Sequence, residues 1–222
     1  MSIDFWKITY ETLLMTFIST ILAYLVGAPI GIILKVTGKN GLRPNKVINA
    51  TLGVFVNFLR SIPCLILTVI LLPFTRAILG RGTGVWYAMI IPLFFSSFAF
   101  VARSVEQSLL DVDNGVIEGA KSLGANNFDI IFRVMVVEAR SSLLLGMAIT
   151  LVNVLGYTAF AYNIGAGGLL SQIWSFYTKN TGSFSGSIEF WIMIGIVVAL
   201  TTFIQEFGLL LAKKIDKRKK LN

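Results

Sequence analysis

TLLMTFISTILAYLVGAPIGIIL, Thr12–Leu34, contains no charged side chain. A helix rising 1.5 Å per residue needs about 20 apolar residues to cross the hydrocarbon of a bilayer, so this run is long enough for one crossing. Further regions of the same character follow. Val47–Thr75 is apolar apart from Arg60, Gly84–Ala102 is uncharged, and Ser141 opens a stretch with no charge until Lys179. That stretch is too long for one helix and rich in glycine near its end, so the helix is placed over 141–162 with a loop beyond it. The last region is Ile188–Ala212. The chain therefore reads as one all-α membrane domain, 1–222, with five transmembrane helices over about 12–35, 47–79, 84–105, 141–162 and 188–212. The runs are too continuous for the short alternating strands of a β-barrel.

Composition agrees. Of 222 residues, 55% are hydrophobic and 14% charged, against roughly 25% charged in an average soluble domain. A soluble fold of this size has no interior for so much apolar surface, and disorder is excluded for the same reason. With no His and a single Cys, the chain makes no H-E-x-x-H zinc site, no Ser-His-Asp triad and no intrachain disulfide. It has no G-x-x-x-x-G-K-[ST] phosphate loop. No catalytic residue, metal ligand or cofactor of its own is expected.

The net charge of +8 is a topology signal rather than a nucleic-acid footprint. The first loop carries Lys35, Lys39, Arg43 and Lys46 with no acid; the segment after the third span carries Arg103, Lys121, Arg133 and Arg140; and the C-terminus carries Lys213, Lys214, Lys217, Arg218, Lys219 and Lys220. The other side has only Lys7, Arg76, Arg81 and Lys179. Basic residues collect in cytoplasmic connections, which sets the N-terminus outside and the C-terminus inside. Asp4, Lys7 and Glu11 make no basic leader, so the N-terminal segment reads as retained, with Ile3, Phe5, Trp6, Ile8 and Tyr10 at the outer interface.

The cytoplasmic segment, about 112–138, reads as two short helices. Asp113 or Asn114 caps the first, and Ile117, Ala120 and Leu123 follow at helical spacing. Gly124 suits the left-handed position past its end. Asn126 or Asn127 caps the second, where Phe128, Ile131, Phe132 and Met135 recur at i, i+3, i+4 and i+7 and define an apolar face. A plain amphipathic connector on the membrane would look similar.

EGAKSLG, Glu118–Gly124, followed by Val134 and Val136, resembles the EAA motif of ABC importer permeases: E-A-A, three residues, G, nine residues, I, one residue, L-P. Glu118, Ala120 and Gly124 match; Gly119 replaces an alanine, and Val137 stands where the family has proline. NFLRSIPCLIL (Asn57–Leu67), IPLFFSSFAFVARSVEQSLLDV (Ile91–Val112) and ITLVNVLGYTAFAYNIGAGGLLSQI (Ile149–Ile173) are similar to permeases of methionine-uptake ABC transporters. The resemblance covers about residues 8–212. It implies the type I importer permease fold in a bacterial-type inner membrane. It also implies a second copy of this chain, two cytoplasmic ATPase subunits that bind the ATP, and an extracytoplasmic binding protein or lipoprotein. Glu118, Gly119, Ala120, Lys121, Leu123 and Gly124 would then contact the ATPase. The alternatives are a permease for another small solute, or a stand-alone carrier or pore; carriers usually show buried carboxylates and repeated halves, absent here.

Polar groups within the spans are the remaining candidates. Asn153, Tyr157, Thr158 and Tyr162 make the fourth span the most polar, and Asn153 and Tyr157 share a face at i, i+4. They line the pathway or bond neighbouring helices. Gly165, Gly167 and Gly168 form a gate or a loop. The 47–79 region exceeds one span, so its first half is expected to lie as a helix along the cytoplasmic interface. The crossing then begins near Pro63 and Arg60 snorkels toward lipid phosphates or the ATPase; a pathway role is the alternative.

Overall fold

A computed structural model describes residues 4–179 and 188–216. The described residues are helical: α1 (Phe5–Thr37), α2 (Lys46–Ser61), α3 (Cys64–Ile70), α4 (Leu72–Leu79), α5 (Ile90–Leu110, entered through a 3₁₀ turn at Trp86–Met89), α6 (Asn114–Ser122), α7 (Asn127–Asp129), α8 (Val136–Glu138), α9 (Arg140–Tyr157, continued by a 3₁₀ turn Thr158–Ile164), α10 (Leu169–Lys179) and α11 (Ile188–Ile215). Four of these, α1, α5, α9 and α11, are long and apolar enough to cross a membrane, and α2 with α3, bent by 95° where they meet, makes a fifth if the pair is one broken span.

The bundle is built on α1 and α5. The buried face of α1 is a stripe of small residues: Thr12, Thr16, Ser19, Ala23, Gly27 and Gly31. In lipid no hydrophobic force drives one helix onto another, so close packing of small side chains does that work. A Cβ on Gly27 would sit 2.6 Å from the Phe98 carbonyl oxygen, and one on Gly31 2.5 Å from that of Ala102. Ser19 donates to the Ile90 carbonyl at 3.4 Å. The two helices thus run parallel with fixed register. Thr12 and Thr16 return their hydroxyls to the carbonyls of Ile8 and Thr12 at 2.9 and 2.8 Å, so no polar atom of theirs is left bare in hydrocarbon.

α9 runs antiparallel to α5. Ser142 and Ser108 share a hydrogen bond of 2.9 Å, and a Cβ on Gly146 would meet the Ser104 hydroxyl at 2.5 Å. α11 covers α9, with Gly208 against Ala148 and the Ser141 hydroxyl donating to Ala212 O at 3.0 Å. The buried apolar residues form two groups. Leu34, Phe98, Val105, Leu109, Ile117, Ile130 and Met135 pack the half nearer α6, and Met15, Met89, Leu93, Val154, Ile164 and Ala166 pack the other.

Two expectations are corrected. The loop placed after residue 162 is instead the 3₁₀ turn and α10, whose Leu169, Ile173 and Phe176 recur at i, i+4 and i+7 and give it an apolar side. α2 does not lie along the interface. Its Asn49 amide donates to the Leu34 carbonyl at 2.7 Å, Gly53 and Asn57 meet Arg103, and the rings of Phe55 and Phe98 are 6.5 Å apart. α2 therefore climbs along α1 and α5 into the bundle, and the chain turns sharply only at Ile62–Pro63. Pro63 has no N–H to continue the helix, and its ring disfavours helical backbone at the residue before it. The anchoring role given to Ile3 and the basic cluster from Lys217 onward lie outside the described residues.

Candidate coupling site and pathway face

α6 begins where Asp113 accepts a bond from Gly115 N–H at 2.6 Å, and α7 where Asn126 accepts from Asp129 N–H at 2.9 Å. These side chains satisfy amides that have no partner in the first turn of a helix. Between them Gly124 adopts φ +81°. Gly124 N–H donates to Lys121 O and Ala125 N–H to Ala120 O, which closes the end of α6. Ile117 is buried against the bundle and Ala120 is half-buried. Glu118, Gly119, Lys121, Leu123 and Gly124 all face outward. A cleft of about 260 Å³ separates this helix from the first loop, with Lys35, Asn40, Gly41, Glu118 and Lys121 among its walls.

The second helix departs from its expected face. Residues Ile130–Met135 form a π-helical turn between α7 and α8. One extra residue per turn aligns Ile130 with Met135, and these two are buried. Phe128 and Phe132 are thereby turned outward, 65% and 46% exposed, with ring centroids 4.6 Å apart. Leu123, at 89%, stands beside the same tip of the hairpin. Three large apolar side chains thus project from the hairpin tip, an exposed apolar patch of the kind that a protein or a membrane covers. Without a proline at Val137, the only interruption is one residue, Ala139, between α8 and α9, where the backbone stays right-handed helical.

The polar residues of the fourth span separate into two kinds. Asn153 and Tyr157 are half-exposed on one face of α9, with Gly156 exposed between them. Thr158 is 1% exposed and donates to its own Leu155 carbonyl at 2.6 Å, so it belongs to the interior of the protomer. Tyr162 bonds Thr178 of α10 through its hydroxyl at 3.1 Å. Gly165, Gly167 and Gly168 have φ of +62°, +84° and +89°. They turn the chain so that Gly168 N–H reaches the Glu11 carboxylate at 3.3 Å and Leu169 N–H the Thr12 hydroxyl at 2.7 Å. The glycine segment is thus tied to α1 at the end of the bundle away from the α6 hairpin.

Charge counting alone makes Arg103 a loop residue. It lies within α5, donates to Glu106 at 2.6 Å, and reaches α2 at Gly53 O (3.1 Å) and Asn57 Oδ1 (3.2 Å). Glu106 at i+3 is its signal in the sequence; the bonds to α2 have none.

A model of the "binding-protein-dependent transport system inner membrane component" family matches residues 27–218. The chain belongs to that family. Relatives of this permease family match it end to end. A Haemophilus influenzae protein described as a "Probable D-methionine transport system permease protein" is 39% identical over 210 residues, covering 95% of this chain and 96% of its own. The methionine import system permease protein of Bacillus subtilis is 39% identical over 215 residues, covering 97% and 95%. A chain from an inward-facing structure of the MetNI methionine ABC transporter superposes with a TM-score of 0.87 at 33% identity, over 98% of this chain and all of that one. The architecture is that of the type I importer permeases, and the chain is a multi-pass membrane permease component rather than an enzyme by itself.

Proposed function

We propose that this chain is the membrane-spanning subunit of an ATP-driven importer that takes up methionine. Two copies enclose the route, and each seats one cytoplasmic ATPase subunit on the tip built from Glu118, Lys121, Leu123, Gly124, Phe128 and Phe132. ATP is bound and hydrolysed by that partner. A binding protein or lipoprotein delivers substrate on the outer side, with the N-terminus outside and the C-terminus inside. The observation that carries the reading is the end-to-end match to named methionine permeases, because it includes the hairpin and the polar face of α9 together.

Mechanically, α6 is a short rigid lever. It hangs directly from α5 and returns through α8 into α9. When ATP draws two ATPase subunits together, their pull on the two hairpins passes into α5 and α9 and reorients the bundle. The experiment is uptake of labelled methionine into vesicles holding this chain with its ATPase and binding protein, with competition by other amino acids. ATP-dependent accumulation suppressed by excess methionine is expected. Accumulation of a different solute, blind to methionine, would overturn the substrate; uptake without the ATPase would overturn the class.

A further inference from the structure

Arg60 lies in the last turn of α2, at the bend of the α2–α3 pair, exposed from the protomer, and its side chain makes no hydrogen bond or ion pair among the described residues. Its depth follows from the register of its neighbours. Asn57, one turn before it, bonds Arg103, and Cys64, the first residue of α3 beyond the bend, meets Ser96 on α5. Arg60 therefore stands near the level of Phe98, which packs against Gly27. Gly27 is eight residues inside Lys35, about 12 Å along the helix. The α9 pairings, Ser142 with Ser108 and Gly146 with Ser104, place Asn153 opposite Ser97, in the same layer.

The break at Ile62–Pro63 lies beside this arginine, and Ser61 and Pro63 are exposed from the protomer. Interrupted helices leave backbone groups without partners. At membrane depth they persist only where protein or a water-filled cavity covers them, never against lipid. A guanidinium at that depth almost always faces a bundle interior or a water-filled cavity too, unless it snorkels to the interface. Broken helices near mid-membrane are where transported solutes are held in other carriers.

We infer that Arg60, at the α2–α3 break, faces the translocation route and binds the carboxylate of the transported amino acid as it passes. This deepens the proposed function and rests on it for the substrate. A guanidinium offers two parallel N–H donors that match a carboxylate, and it remains charged at every working pH. Asn153 contributes a neutral amide at the same depth. The carboxylate is the group common to all amino acids, so Arg60 recognises the class and leaves side-chain choice to the binding protein.

Two measurements on the complete transporter in vesicles test this. The first needs no substrate. An Arg60→Cys change in a Cys64→Ser background is probed with a charged, water-soluble thiosulfonate and with a lipophilic maleimide. Reaction with the charged reagent is expected; reaction with the maleimide alone would mean that the side chain faces lipid, and the inference fails. The second is uptake by Arg60→Gln and Arg60→Lys. The Gln variant should lose about tenfold in uptake per assembled transporter, with Lys retaining more and ATPase stimulation by the binding protein preserved. Wild-type uptake by Arg60→Gln would overturn the inference. A wild-type transporter that ignores methionine would overturn the substrate alone, because the labelling result stands without it.

Discussion

The hydroxyls of Ser108 and Ser142 lie 2.9 Å apart and join the end of α5 to the start of α9. The whole α6–α8 hairpin hangs between these two residues, so the bond closes its base. Ser108 is 4% exposed, and Ser142→Val leaves its hydroxyl to fall back on its own helix. A loss of about 1 kcal/mol is expected, seen as a melting temperature lower by about 2–4 °C. The Ser108→Ala, Ser142→Ala pair should cost less than the sum of the single changes; strict additivity would show that the bond is absent.

Gly124 holds φ +81°, where a β-branched residue is strained. Gly124→Val should distort the hairpin at a cost of about 1–3 kcal/mol and weaken co-purification with the ATPase while insertion remains normal. Glu118→Lys and Phe128→Asp should weaken the same contact without backbone strain. Full retention of the ATPase by all three would remove the hairpin from the coupling role.

Gly27 and Gly31 set the approach of α1 to α5. Gly27→Val places a methyl-bearing carbon against the Phe98 carbonyl and the Val101 side chain, whose Cβ would lie 2.9 Å from the new one. Overpacking of this kind costs about 1–3 kcal/mol. A Gly27→Val, Gly31→Val pair should insert but fail to yield a monodisperse complex in detergent; an unchanged elution profile and melting curve would contradict the packing.

Thr12 anchors the amino end of α10 through its bond to Leu169 N–H. Leu169 is fully buried, so Thr12→Val strips a buried amide of its partner, at about 1–3 kcal/mol. Thermal melting measures this directly, and Thr12→Ser should restore it. Equal stability of the Val and Ser variants would show that the amide finds another acceptor.

Asn153 and Tyr157 remain the pathway candidates because they are half-exposed and, among the described residues, hydrogen-bond no neighbouring helix, unlike Tyr162; Thr158 is closed inside the protomer. Asn153→Leu should lower uptake and leave basal ATPase rate and melting temperature near wild type. A lower melting temperature with unchanged uptake per transporter would assign Asn153 to helix packing instead.

The long spans and the hairpin are legible in the sequence because lipid imposes continuous apolar runs and because glycine and Asx caps mark helix ends locally. Gly124, Asp113 and Asn126 each act on backbone within a few residues. What stays hidden depends on distant partners. Periodicity of 3.6 puts Phe128 with Met135, but the π turn regroups them, and nothing in the local sequence announces the extra residue. Arg103 counts as a loop charge because its partners on α2 lie 46 and 50 residues away. α2 itself has only Val56 fully buried, so its pattern resembles an interfacial helix; its Asn49, Gly53 and Asn57 contacts draw it into the bundle.

The outward turn of Leu123, Phe128 and Phe132 has a consequence for synthesis. If the proposed ATPase contact is the cover for these side chains, a copy made without that partner displays them to solvent, where chaperones and proteases survey such surfaces. On that reading, matched production of the two subunits would keep the surface covered, and an orphaned copy would carry its own signal for removal.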